Sequence, residues 1–319
     1  WFAYFAAPAV TTSALIEAVL RAVRPHALRT GLRDHVIIGG CGRLSMLYMR
    51  ALRAREPRRQ IVVVERHLDN PYIDIAAETY RVKFVHGDLS STTLLTSLQL
   101  HRAHRVLIFT GDDHVNLNTA ARMIQLAPNL ANKVVAHVAD LRLLRVIEGR
   151  NLAQGAHKFN SYRTAAHHLV ESMLSPHFIA TAYHDTVVLA GFGRFGQTVL
   201  DELQKTSLGQ FNKVLIVDTN AESLVHVFAE QVGFADGYEY ECVSANIHEP
   251  RTWQIVESLA GANAEELVFI LASGNDSLNM RTALWLTDRL NNAMVVARCF
   301  HRSEFTSEIA RECNFHVVS

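Results

Sequence analysis

Short runs of β-branched and other apolar residues recur along the chain, and each is followed by a segment whose apolar positions fall three and four apart. The runs are H-V-I-I at 35–38, I-V-V-V-E ending at Glu65, K-F-V-H-G-D at 83–88, R-V-L-I-F-T-G-D-D at 105–113 and K-V-V-A-H-V at 133–138. The same order returns as V-V-L-A at 187–190, K-V-L-I-V-D ending at Asp218, E-Y-E-C-V-S-A-N at 239–246, E-L-V-F-I-L-A-S-G-N-D at 266–276 and A-M-V-V-A-R-C-F at 293–300. Apolar strands alternating with helices predict βαβ units and a parallel sheet. One set of elements in the same order twice points to an internal duplication. The predicted fold is α/β, two tandem Rossmann-like, doubly wound parallel-sheet domains joined by crossover helices. The first domain is expected over 34–153, the crossover segment over 154–184 and the second domain over 185–319.

The stretch that organises each half is a glycine turn after an apolar strand. In the second half Gly191, Gly193 and Gly196 complete G-x-G-x-x-G between a strand and a helix, and Asp218 closes the next strand. The spacing provides a tight turn, bare backbone against a pyrophosphate, and close helix–strand packing. The helix start directs unpaired N–H groups at phosphates, and the acid is placed to accept from ribose hydroxyls. The first half repeats this in weaker form, with Gly40 and Gly42 in place, Ser45 where Gly196 stands and Glu65 where Asp218 stands. Asp88 matches Asn246, Asp113 matches Asp276 and Asn116 matches Asn279. Ligands of such sheets lie off the strand C-termini, where Gly40, Glu65, Asp88 and Asp113 fall.

Two segments lie outside the duplicated pattern. Residues 141–175 read as helices with apolar spacing, and Val170, Met173 and Leu174 are expected to pack against a partner. His167 and His168 are adjacent, so they point to different sides of a helix and read as surface residues. Residues 1–33 open with clustered aromatics and an apolar run, then carry Arg21, Arg24, Arg29 and Arg33. The run is shorter than a bilayer span. It reads either as the cytoplasmic end of a transmembrane helix or as an amphipathic packing helix.

A formal net charge of zero argues against nucleic acid as a partner. Cys41, Cys242, Cys299 and Cys313 are scattered without C-x-x-C, so a disulfide framework is not expected. Cys41 lies in a glycine turn, where a helix N-terminus lowers thiol pKa, but it reads first as a small residue that fits. His101 with His104, Cys299 with His301, and Cys313 with His316 lack a second pair at zinc spacing. Asp112 with Asp113, or Asp276 with Glu304 and Glu308, are candidates for a divalent cation, though helix capping accounts for such carboxylates equally. No hydrolase, zinc-protease or P-loop pattern is present.

The combination G40-C-G-R43, Glu65, Gly87-Asp88, Asp112-Asp113 and Asn116-Leu117, with G191-F-G-R194, Asp218 and Asn275-Asp276, resembles the RCK (regulator of potassium conductance), or TrkA-N, domain in tandem. The resemblance covers nearly everything from Asp34 onward. It implies that Gly40, Gly42, Arg43 and Glu65 hold a nucleotide in one lobe, and Gly191, Gly193, Arg194 and Asp218 in the other, each arginine reaching the diphosphate. Cys41 and Leu44 in the first turn, Phe192, Phe195 and Gly196 in the second, and Asp88, Asp113, Asn246 and Asp276 at the strand ends complete the candidate contact set. The implied ligand is NAD or NADH, or else ATP or ADP, with a divalent cation as a second candidate. The implied role is a non-enzymatic, ligand-sensing gating region of a potassium channel or transporter at the cytoplasmic face of the membrane. The implied partners are further copies of the chain, as a dimer or a tetrameric gating ring, and a transmembrane pore domain, with the N-terminal arm as the end of a pore helix. An NAD-dependent oxidoreductase is the alternative, disfavoured because no substrate domain and no His–Asp or Tyr–Lys pair is evident. A scaffold that kept the fold and lost the ligand is the third reading.

Overall fold

The structure is a computed structural model and describes residues 31–150, 155–182, 184–261, 263–300 and 303–318. The arm expected from residues 1–33 therefore lies, as far as residue 30, outside the described residues, as does His301. Among the described residues no helix is long and apolar enough to cross a membrane.

The chain divides into two compact units between Phe159 and Asn160. Each contains one six-stranded sheet in which every strand pair is parallel. In the first unit the strands are β1 (His35–Gly39), β2 (Ile61–Glu65), β3 (Lys83–His86), β4 (Ala103–Ile108), β5 (Val134–His137) and β6 (Ala156–Phe159), in spatial order β3-β2-β1-β4-β5-β6. In the second they are β7 (Thr186–Ala190), β8 (Lys213–Asp218), β9 (Glu239–Ser244), β10 (Leu267–Leu271), β11 (Met294–Arg298) and β12 (His316–Val318), in order β9-β8-β7-β10-β11-β12. The order reverses between β1 and β4, and between β7 and β10. That is where a doubly wound sheet opens a crevice at its C-terminal edge. The sequence pattern shows five strands per half; β6 and β12 are the additions.

The central strands form because both of their faces are buried, which favours continuous β-branched runs over alternation. Every residue of β1, β2, β7 and β10 is buried. In the first unit Val36, Ile38, Ile61 and Val63 pack with Met49 and Leu52 of helix α1 (Arg43–Arg55) on one face. Ile37, Val62, Val106 and Ile108 pack on the other face with Ala120 and Met123 of a second helix, residues 113–126. Each such buried aliphatic side chain contributes about 2 kcal/mol relative to exposure.

Four further helices bear on the site or on the expectations above. They are α2 (Tyr72–Tyr80), α3 (Thr92–Ser97), α4 (Asp113–Leu126, the helix just described) and α5 (Leu141–Gly149). In the second unit, α6 (Ser161–Leu169), a π-helical turn over Val170–Leu174 and α7 (Ser175–Ala180) follow one another without a break. Val170 and Leu174 are fully buried, and Met173 is partly buried, against Val187, Leu189, Phe211 and the helix α8 (Arg194–Thr206). This corrects the expectation that these three side chains pack against a partner: they fill the chain's own second core. His167 reaches across to α8, with Nδ1 2.7 Å from the Glu202 carboxylate, and that contact raises its pKa.

Candidate functional site

Each sheet ends in a turn that only glycine can make. Gly40 has φ +89°, and a β-carbon there would lie 2.8 Å from the Phe109 carbonyl oxygen. Gly191 has φ +97°, and a β-carbon would lie 2.7 Å from the Ser273 amide nitrogen. Positive φ and backbone contact together exclude any side chain at both positions. The turns are tied to the neighbouring strand, Gly40 N–H donating to Val64 (2.8 Å) and Gly191 N–H to Val217 (2.7 Å). The second glycines differ in kind. Nothing lies within 4 Å of a β-carbon built on Gly42 or Gly193. The space over them is open, as an approaching phosphate requires.

These open glycines are also the N-caps of α1 and α8, and neither supplies a side-chain acceptor. Elsewhere Asp112, Asp140, Asn160, Asn275 and Ser303 cap their helices with side-chain oxygens. The first N–H groups of α1 and α8 are thus left pointing into the crevice, with the positive end of the helix dipole behind them. The result is an anion site made of backbone. Arg43 and Arg194 are exposed at its rim.

The third position separates the two turns. A β-carbon on Gly196 would meet the Gly191 carbonyl oxygen at 2.3 Å. Ser45, at the equivalent place, is fully buried and donates its hydroxyl to the Gly40 carbonyl at 2.7 Å. The first turn is therefore spaced by a hydrogen bond where the second is in direct contact.

The acids stand beside the turns, as their position in sequence implies, and both grip the turn backbone. Glu65 accepts from Cys41 N–H (2.8 Å), and Asp218 accepts from Phe192 N–H (2.8 Å). Burial alone would raise the Glu65 pKa, but N–H donors from His67, Cys41 and Arg66 and the Asn70 amide hold it below the ordinary carboxylate range. Glu65 is 8% exposed, whereas Asp218 is half-buried. Beside Asp218 lies a hollow of about 420 Å3, lined by Thr219, Ser244, Ala245, Asn246, Thr252 and Ile255 among others. A cavity of about 520 Å3 in the first unit, lined by Asp34, Glu56, Arg59 and neighbours, lies at the opposite edge of its sheet, away from the glycine turn.

The remaining candidates divide into surface turns and structural acceptors. Asp88 accepts from Ser90 N–H and Asn246 from His248 N–H, the same side-chain turn in both halves. Asp113 is bonded away from the cleft: its two oxygens accept from Ala139 N–H (2.9 Å) and Asp140 N–H (2.8 Å). Asp112 caps α4 through Val115 N–H. Among the described residues no group of three or more His, Cys, Asp or Glu is placed to hold a metal ion. Asp112 thus caps its helix, and Asp113 satisfies backbone at the exit of β5. Asp276 opens the helix Asp276–Arg289. Phe192 and Phe195 are buried, Phe195 lying 4.6 Å below the Arg298 guanidinium, so they offer a ligand only backbone. Leu44 is half-buried in the first turn of α1. The Cys41 thiol is buried and pushed up to about 11, first by desolvation and then by Glu65. A thiol held protonated is a poor nucleophile.

Three further residues have structural roles at the site. Asn116 and Asn279 are fully buried and staple the crevice, each donating to two carbonyls, Thr110 and His137 in one unit and Ser273 and Arg298 in the other. Asn70 bridges the first turn, donating to the Cys41 carbonyl (2.9 Å) and to Glu65 (3.0 Å). The unequal spacing between acid and helix, residues 66–71 against 219–220, is the one sign of it in the sequence.

Fold and turns together define a tandem pair of Rossmann-type domains. The TrkA-N domain model matches residues 36–154 and again 187–318. This chain belongs to the TrkA-N domain family and carries the domain twice. Among solved structures it is similar to GsuK bound to ADP, at TM-score 0.65 and 18% identity over 97% of this chain and 74% of that one. It is also similar to the GsuK channel bound to NAD, at TM-score 0.64 and 15% identity over 91% and 62%, and to the GsuK RCK domain, at TM-score 0.63 and 15% identity over 91% and 74%. At these identities the likeness establishes the fold. A comparison with curated protein sequences finds no match.

Proposed function

We propose that this chain is the ligand-sensing regulatory region of a potassium channel or transporter, at the cytoplasmic face of the membrane. It takes NAD(H) or an adenine nucleotide in a Rossmann cleft and catalyses no reaction. The observation that carries this reading is the second turn. There an uncapped helix start with open space over Gly193, the half-buried Asp218 and the adjoining hollow would take phosphate, ribose and base in turn. Structurally similar GsuK has been solved with both ADP and NAD, which supports the ligand class. The contact between His177 and Asp185 lies at the far edge of the sheet from Gly191, which supports binding without acid–base catalysis. In the assembly, further copies form a ring and a pore domain is the output. Nucleotide acts only through its difference in affinity between ring states, about 1–3 kcal/mol of coupling per site.

Gly193→Asp tests this directly. Aspartate is a better N-cap than glycine by a few tenths of a kcal/mol, and nothing lies within 4 Å of its β-carbon. The variant should fold at least as stably as the parent, yet its carboxylate occupies and repels the phosphate position. In calorimetric titration with ADP and with NAD, the parent binds and the variant loses at least about a hundredfold in affinity, or about 2.7 kcal/mol. Binding by neither removes the ligand from the proposal, and equal binding by both removes it from the second cleft. Turnover of NAD by the parent, read as reduced-nicotinamide absorbance, would favour an oxidoreductase instead.

A further inference from the structure

The two clefts differ in what their acids still have to offer. An ionised carboxylate has about four acceptor positions. Glu65 has spent all four on the protein. One oxygen accepts from Cys41 N–H (2.8 Å) and Asn70 Nδ2 (3.0 Å), and the other from Arg66 N–H (2.8 Å) and His67 N–H (3.0 Å). Asp218 accepts from Phe192 N–H (2.8 Å) on one oxygen and from Asn220 N–H (3.0 Å) on the other, with the Thr219 hydroxyl at 3.4 Å. One position is open, and a rotating hydroxyl yields a second.

The cause is the connection after the acid. In the second domain α9 (Ala221–Gln231) starts directly after residues 219–220. In the first domain residues 66–71 intervene before α2 and arch back over the turn. Asn70 anchors that arch to both the Cys41 carbonyl and Glu65, and its own carbonyl accepts from Tyr72 N–H (3.0 Å). The Tyr72 hydroxyl lies 3.4 Å from Arg43 Nε and accepts from it, turning the turn arginine towards the arch. A ribose diol entering here must break Asn70 from two partners at once.

We infer that the chain binds one adenine nucleotide, in the second cleft, and that Asn70 is the residue that bars ribose diols from the first. This rests on the nucleotide reading above. The test is binding stoichiometry of the full chain with ADP, by calorimetry. One ADP per chain is expected in the parent and in Gly42→Asp, and none in Gly193→Asp. Two per chain in the parent, or a loss in Gly42→Asp, overturns the inference and leaves the nucleotide reading standing. No binding by any of the three overturns both. Asn70→Ala frees one Glu65 acceptor and should add a second, weaker site. That site should prefer ADP to 2′-deoxy-ADP by about tenfold, the worth of one hydrogen bond to a charged acceptor. A stoichiometry that stays at one, or a new site indifferent to the 2′-hydroxyl, overturns the role of Asn70; thermal melting confirms that the variant is folded.

Discussion

The two halves of this chain run the same strand order through the same turn, yet they resolve two equivalent contacts differently. The second domain closes its turn by direct contact at Gly196 and leaves Asp218 partly free. The first spaces its turn with the Ser45 hydroxyl and surrounds Glu65 with donors. A duplicated sequence pattern thus keeps the scaffold while the polar groups are reassigned, one copy leaving its acid partly open and the other satisfying it from the protein itself.

The swap at the third position should break the symmetry most. Gly196→Ser brings a β-carbon to 2.3 Å from the Gly191 carbonyl, a backbone atom with nowhere to go, so α8 must lift from its strand. Overpacking of this kind costs about 3 kcal/mol. Ser45→Gly loses one buried hydrogen bond and gains helix-interior flexibility, about 1.5 kcal/mol together. Chemical denaturation, read domain by domain through hydrogen exchange, decides. Equal costs in both directions would mean the two turns share one geometry.

Asn116→Ala and Asn279→Ala form the symmetric control. Both side chains are fully buried and donate to carbonyls on two strand ends. Each loss strands buried acceptors, at about 2 kcal/mol, and the two costs should agree. A large inequality would locate asymmetry in the scaffold as well as in the polar groups.

The acids sharpen the contrast further. Asp218→Asn should weaken ADP binding about tenfold, one charge-assisted bond of about 1.4 kcal/mol, and change stability little. Glu65→Gln should leave ADP binding unchanged and cost about 1 kcal/mol of stability, because its new NH2 faces donors. It should also remove an acid transition. The Glu65 pKa is depressed on folding, so its stabilisation is present above the ordinary carboxylate range and is lost as pH falls through the lower folded value. A Glu65→Gln variant that binds ADP more weakly would reassign the first acid to the ligand.

The sequence made the sheets legible because both faces of their central strands are buried, and a run such as Ile61–Val64 has one reading. It concealed β6, whose residues Ala156–Phe159 are half exposed and include His157 and Lys158, so neither periodicity nor apolar length marks it. It concealed β12, three residues at the edge of the second sheet. The glycines and acids were legible as positions, but their occupancy was not. Asp113 reads as a cleft acceptor until Ala139 and Asp140 are seen to satisfy it from the next strand's exit. Asn70 sits in a polar, Pro-containing stretch indistinguishable from a helix lead-in, and only folding brings its amide to Cys41. Long-range polar pairing has no period, which is why the scaffold can be read where the site cannot.

The smallest expected effect concerns the first residue of each central strand, His35 against Thr186. His35 is fully buried, with Nε2 3.0 Å from the Leu98 carbonyl and Nδ1 without a partner. The neutral ring donates through Nε2, and protonation would place an unpaired charged donor in the core. Desolvation lowers its pKa first, Lys83 adds to that, and the Leu98 bond and Asp34 oppose it. Because the folded value lies below the ordinary 6.5, the unfolded chain takes up its proton first as pH falls. Stability is full above 6.5 and declines as pH drops from there through the folded value. The second domain has a threonine at this place and lacks the term. Melting temperatures of the first domain should therefore fall between pH 7 and pH 5 in the parent and be flatter in His35→Thr, with the profile of the second domain unchanged by the substitution. A parent whose first domain holds its melting point across that range would show that His35 takes up its proton as readily in the folded chain as in the unfolded one, and the acid asymmetry would then reside in Glu65 alone.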